Sequence, residues 1–183
     1  MRTILWIILV AVAIILYQEN NVISNRTGQG IACLEFANSY DGKATLYQWD
    51  AVKYADGTLI GVAQSNTHWD FVFILTYVLL MILCSSIQMQ QEKNSFLNAL
   101  LRLNLLLAVL AGLLDVTEDL ILLYDLRHVN DPGLYVSSYW ATLPKWILSG
   151  WVVLVWVVSL IKSAIFNKST KVPVPVAHVS IVN

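Results

Sequence analysis

The chain predicts an all-α membrane protein: a four-transmembrane-helix bundle with a small extracytoplasmic strand–helix cap between helices 1 and 2. Three observations predict it. Of 183 residues, 57% are hydrophobic and 13% charged, where soluble domains carry about 25% charged residues. Mean hydropathy is +0.64. Four apolar runs, separated by polar segments, approach or exceed the length needed to cross a bilayer, about 20 residues.

The first run, Ile4 to Tyr17, follows Met1-Arg2-Thr3. It is short for a span and has the layout of a signal peptide. No small-x-small cleavage site follows it, so an uncleaved helix over about 3–20 is expected. The second run, Trp69 to Met89, predicts a span over 69–89. The third, Phe96 to Tyr124, predicts one over 97–124, long enough to tilt. The fourth, Leu143 to Ile161, predicts one over 143–162. There Thr142 suits a cap, Pro144 a first turn and Trp146 an interface. Residues 1–165 form one membrane domain on this reading. Alternating Val and Pro after Lys171 make 166–183 a mobile cytoplasmic tail.

Four spans place both termini on one side. Lys162, Lys168 and Lys171 follow the last run without an acid, which suits the cytoplasm. An inner (cell) membrane location with both termini cytoplasmic is therefore expected. The outer loop, 21–68, is too long to be a bare connector. Gly30 to Ala37 reads as a strand, Lys43 to Trp49 as a short amphipathic helix, Asp56-Gly57 as a turn and Thr58 to Ala63 as a second strand. Trp49, Tyr40, Tyr47 and Tyr54 are expected to seat this cap at the membrane surface.

Asp115, Glu118 and Asp119 interrupt the third run. Their i, i+3, i+4 spacing puts them on one helical face. Gly112, Ala111, Ala108 and Asn104 continue that face with small residues that admit a close neighbour. Ionisable groups in lipid turn towards protein or a wet cavity and mark candidate sites. Asp70 and Tyr77 share a face of the second helix with Cys84, and Lys145 shares one with Ser149 near the outer end of the fourth. The candidate cluster is Asp70, Tyr77, Asp115, Glu118, Asp119 and Lys145, with Glu35, His68 and His128 at its rim.

These residues fit three functions. Surplus carboxylates over one lysine suit a cation, a metal cation included, a lipid headgroup amine or a small polar ligand in an acidic pocket in the outer half of the bundle. The same carboxylates suit a membrane-embedded enzyme. They also suit a structural subunit, whose ion pairs fix helix register within a homo-oligomer or a larger membrane complex. The enzyme reading lacks support from motifs: no Glu-x-x-His pair, serine nucleophile motif or glycine-rich phosphate loop occurs. A net charge of −1 leaves no basic stripe for nucleic acid, so the lipid bilayer is the expected partner. Cys33 and Cys84 are expected as free thiols.

Leu34-Glu35-Phe36-Ala37, Trp49, Asp70-Phe71-Val72-Phe73 with Tyr77, Gly112 to Asp119 and Lys145-Trp146 together give a pattern spread over most of residues 31–150. In this pattern the chain resembles a family of uncharacterised bacterial four-helix integral membrane proteins. The resemblance implies a bacterial envelope protein and carries no activity with it. Asn often stands in that family where this chain has Asp119. The arrangement of spans and loops also looks like that of claudins, whose paired loop cysteines and Gly-Leu-Trp signature are missing here; the likeness is one of architecture.

Overall fold

The computed structural model describes residues 2–131 and 135–166. In chain order they form α1 (Arg2–Thr27), α2 (Ile31–Glu35), α3 (Ser39–Ala51), β1 (Lys53–Tyr54), β2 (Gly57–Thr58), α4 (Leu59–Gln91), α5 (Ser95–Arg127) and α6 (Tyr139–Phe166). Four of these helices, α1, α4, α5 and α6, are long and apolar enough to cross a membrane. The tail expected over 166–183 lies, beyond Phe166, outside the described residues.

All four long helices extend beyond the apolar runs that predict them. The largest difference is α4, which starts at Leu59 rather than near residue 69. Hydropathy marks the stretch suited to hydrocarbon, whereas the helix continues wherever its backbone and packing allow. Here the extra turns are held by side chains: Asn66 Nδ2 donates to the Leu16 carbonyl at 2.9 Å, and Ser65 Oγ to Glu19 Oε1 at 2.7 Å.

The small-residue face of α5 is buried as expected, with Asn104, Ala108, Ala111, Gly112, Asp115, Glu118 and Asp119 all inside. A Cβ on Gly112 would stand 2.5 Å from Val78 Cγ2, so only glycine lets α4 and α5 approach this closely. Asn104 Nδ2 crosses to the Val152 carbonyl of α6 at 3.0 Å. The packing is asymmetric. α4, α5 and α6 form a three-helix core, while α1 lies along α4 and makes no substantial contact with α6.

The cap differs from its expectation in three places. The segment expected as a strand at 30–37 is the short helix α2. The expected second strand is reduced to Gly57–Thr58, because Leu59 already belongs to α4. The turn falls on Ala55-Asp56, with Ala55 at φ 49°, one residue before the Asp-Gly signal. The expected helix forms as α3, and Asn38 caps it, its Oδ1 accepting from the Tyr40 and Asp41 amides at 2.9 and 3.0 Å. Trp49 is not a surface anchor. It is 0% exposed, at the centre of a core made with Ile23, Leu34, Leu46, Leu59, Leu122 and Leu126. That core joins the cap to the ends of α1, α4 and α5, which makes the cap part of the bundle.

A second polar knot closes the opposite end. Glu92 Oε1 accepts from Lys162 Nζ at 2.7 Å, Glu92 Oε2 from Ser159 Oγ at 2.9 Å, and Gln88 Nε2 reaches Ser159 Oγ at 3.1 Å. Burial pushes the Glu92 carboxyl up, but the Lys162, Asn94 and Ser159 hydrogen bonds outweigh it and leave it below its ordinary value.

Candidate functional site

Lys145 is the hub of the site. It projects from the first turns of α6, is 7% exposed, and faces acids from two other elements. Its Nζ donates to Asp115 Oδ1 of α5 at 2.6 Å, pairs with Glu118 Oε2, and lies 4.0 Å from Glu35 Oε2 of α2. Asp115 is held from both sides, because Tyr77 Oη of α4 donates to its other oxygen at 2.9 Å. Glu118 is 0% exposed, and its Oε1 accepts from Thr142 Oγ1 at 2.8 Å. Thr142, expected as a helix cap, instead sits inside α6, within hydrogen-bond distance of Glu118 and of the Glu35 and Ser138 carbonyls.

Asp70 and Asp119 complete the charge set. Both interact electrostatically with Asp115, Lys145 and Glu118, yet neither has a hydrogen bond or ion pair among the described residues. Asp119 is 2% exposed, and its Oδ2 is buried without a partner. Five carboxyl groups thus surround one ammonium. Lys145 is close to Asp115 and Glu118, at the outer limit of an ion pair with Glu35 at 4.0 Å, and unbonded to Asp70 and Asp119.

Glu35 comes to the site through chain geometry. Gly30 approaches Asn20 so closely that a Cβ there would stand 2.5 Å from Asn20 Oδ1, and the same Oδ1 accepts from the Ile31 amide at 2.8 Å. This fixes the start of α2, which then turns Glu35 over the end of the bundle. Burial pushes the Glu35 carboxyl up; the Lys145 ammonium opposes that shift and the neighbouring acids reinforce it, leaving it at about 7.

Beside the cluster runs a cavity of about 640 Å³, bordered by α1, α4, α5 and α6. That lies within the range of small-ligand sites, about 300–1,000 Å³. Its polar end is formed by Glu35, Asp70, Tyr77, Asp115, Lys145 and Ser149. From there it continues between apolar and aromatic walls to Trp6 of α1 and Trp156 of α6. Because α1 and α6 barely meet, the cavity is a cleft open along the flank of the bundle.

Of the residues singled out in the sequence, Asp70, Tyr77, Asp115 and Lys145 line the cleft, while Glu118 and Asp119 stand behind it. Glu35 is a member of the cluster and not merely its rim. The two rim histidines are elsewhere. His68 is exposed with Nδ1 2.5 Å from the Gln64 carbonyl. His128 is exposed, bonded to the Tyr124 carbonyl at 2.8 Å and tilted over the Tyr124 ring. Neither lines the cleft. Among the described residues, no group of three His, Cys, Asp or Glu side chains is placed to hold a metal ion. Cys33 and Cys84 are free thiols, and Cys84 lies in the cleft wall.

Sequence reasoning did not identify Thr142, Trp6 or Trp156 as site residues. Thr142 had a signal, since it stands three residues before Lys145 and so shares its helical face. The tryptophans had none, because aromatic residues in an apolar run look alike whether they face lipid or a cleft. No family model, no curated protein and no solved structure matches the chain.

Proposed function

We propose that the protein is a bacterial inner-membrane protein that binds a cationic group in an acidic pocket at the capped, extracytoplasmic end of its bundle. Both termini are cytoplasmic on this reading, as the lysines that follow α6 favour. The observation that carries it is the charge balance of the cluster: five carboxyls are gathered around Lys145, three of them (Glu35, Asp70 and Asp115) line the cleft, and Asp70 has no hydrogen bond or ion pair among the described residues. Desolvated like charges repel strongly, and a bound cation relieves the repulsion.

The cluster divides by role. Asp115, Glu118, Lys145, Tyr77 and Thr142 bond to one another and set the register of α4, α5 and α6. Asp70 and Glu35 face the cavity and are the groups available to a ligand. The network of three donors, Tyr77, Thr142 and Lys145, on two carboxylates supports a structural role for the first set; the open carboxyls support binding for the second.

The test is calorimetric titration of the purified protein in nanodiscs with ethylammonium and, separately, with divalent metal ions. Saturable binding is expected, weakened at least tenfold by Asp70→Asn and by Glu35→Gln. Asp115→Asn and Glu118→Gln are expected to lower thermal stability as well as binding. Absence of saturable binding by any of these cations in the folded parent protein would sink the proposal.

A further inference from the structure

The cavity is far longer than a bare cation requires. Along α6 it runs from Lys145 to Trp156, a rise of about 16 Å at 1.5 Å per residue. Only one end is charged. Past Tyr77 the walls include Leu80, Met81, Val152 and Val153, ending in the indoles of Trp6 and Trp156. A small polar ligand would leave that channel to be filled by something apolar.

The way in is sideways. Among the long helices, α1 packs along α4 and makes no substantial contact with α6, so the cleft between α1 and α6 opens along the flank that would face hydrocarbon. At Gly150 an added Cβ would meet nothing within 4 Å, so no side chain of the protein fills the space beside it.

We infer that the cleft holds a single-chain amphiphile with a cationic amine head, drawn laterally from the bilayer. The ammonium lies between Asp70 and Glu35, and the chain lies along Leu80, Met81 and Val153 towards Trp156. The inference rests on the cation reading above and specifies its ligand class. Charge complementarity selects the head: an anionic head would meet surplus carboxylates, and a neutral one would leave them uncompensated. The length and apolarity of the channel select the tail.

Trp6, Trp146 and Trp156 line the cleft, so a ligand carrying a heavy-atom quencher on its chain reports its own position. The protein in nanodiscs is titrated with dodecylamine brominated at the chain end, and tryptophan fluorescence is followed. Saturable quenching is expected. Gly150→Phe fills the channel while leaving the acids intact, and Asp70→Asn removes a carboxylate at the head; each is expected to weaken the amine at least tenfold. Dodecanol with the same bromine is expected to quench at least tenfold more weakly than the amine.

Ethylammonium separates this inference from the cation reading. If it binds and competes, while the long amine binds no tighter and is indifferent to Gly150→Phe, the cation reading stands and the amphiphile inference is overturned. If neither amine binds, both are overturned. Equal quenching by alcohol and amine would overturn the cationic head. Quenching that grows in proportion to the added ligand, without saturation, would mean partition into lipid and would overturn the site.

Discussion

Replacing Lys145 by methionine removes the one positive charge of the cluster while keeping a similar apolar volume. Lys145 Nζ is 2.6 Å from Asp115, paired with Glu118 and 4.0 Å from Glu35. Without it, Glu118 keeps only Thr142, and Asp115 only Tyr77. At an effective dielectric of 20, two charges 4 Å apart interact by about 4 kcal/mol, and removing one partner of a buried pair costs about 3–5 kcal/mol. In a chain of this size 1 kcal/mol shifts the melting temperature by about 2–4 °C. Lys145→Met is therefore expected to lower it by roughly 6–20 °C, read by fluorescence-detected unfolding in maltoside micelles. If the loss comes from uncompensated charge, adding Asp115→Asn recovers part of it, with a coupling of about 1–3 kcal/mol. A single variant within about 1 kcal/mol of the parent, or a double variant equal to the sum of the singles, would refute the reasoning.

Three further outcomes are expected. Gly112→Ala should destabilise by about 1–3 kcal/mol through overpacking against Val78, and Val78→Ala should restore most of it; thermal unfolding of the pair of variants checks this. Trp49→Ala, which empties the centre of the cap, should cost about 3–5 kcal/mol and open the segment 28–58 to limited proteolysis before the long helices unfold. Glu35 gives a pH dependence. Its carboxyl stands at about 7 in the fold against an ordinary 4.5, so its contribution is fully present below pH 4.5 and is lost as the pH rises towards 7. The slope is at most about 1.4 kcal/mol per pH unit, and stability curves at stepped pH for the parent and Glu35→Gln should differ in this window alone.

The sequence was most informative where composition is the physics. Four apolar runs, and an acidic face continued by Asn104, Ala108, Ala111 and Gly112, lead directly to four long helices and to the buried side of α5. Helical spacing also brought Asp70 and Tyr77 together in the cleft wall, and likewise Lys145 and Ser149. Short-range pattern failed in the cap. Residues 30–37 alternate well enough for a strand, but a five-residue helix lets Leu34 and Ile31 reach Trp49 and lets Glu35 reach Lys145. Tertiary packing outweighed local propensity there. The position of α1 was not legible at all, because an apolar run exposed on most sides has no polar face to orient it.

The pairing of Lys145 with acids of α5 bears on how the chain enters a bilayer. An Asp at a helix centre disfavours insertion by about 2.5–3.5 kcal/mol; α5 carries Asp115 and Asp119 together with Glu118, and the neutralising lysine is synthesised 30 residues after Asp115, in the next helix. A translocon handing over α5 by itself would release an unbalanced acidic segment. The two helices are therefore expected to leave it as a hairpin, with nascent chains truncated before Lys145 remaining crosslinkable to the insertion machinery.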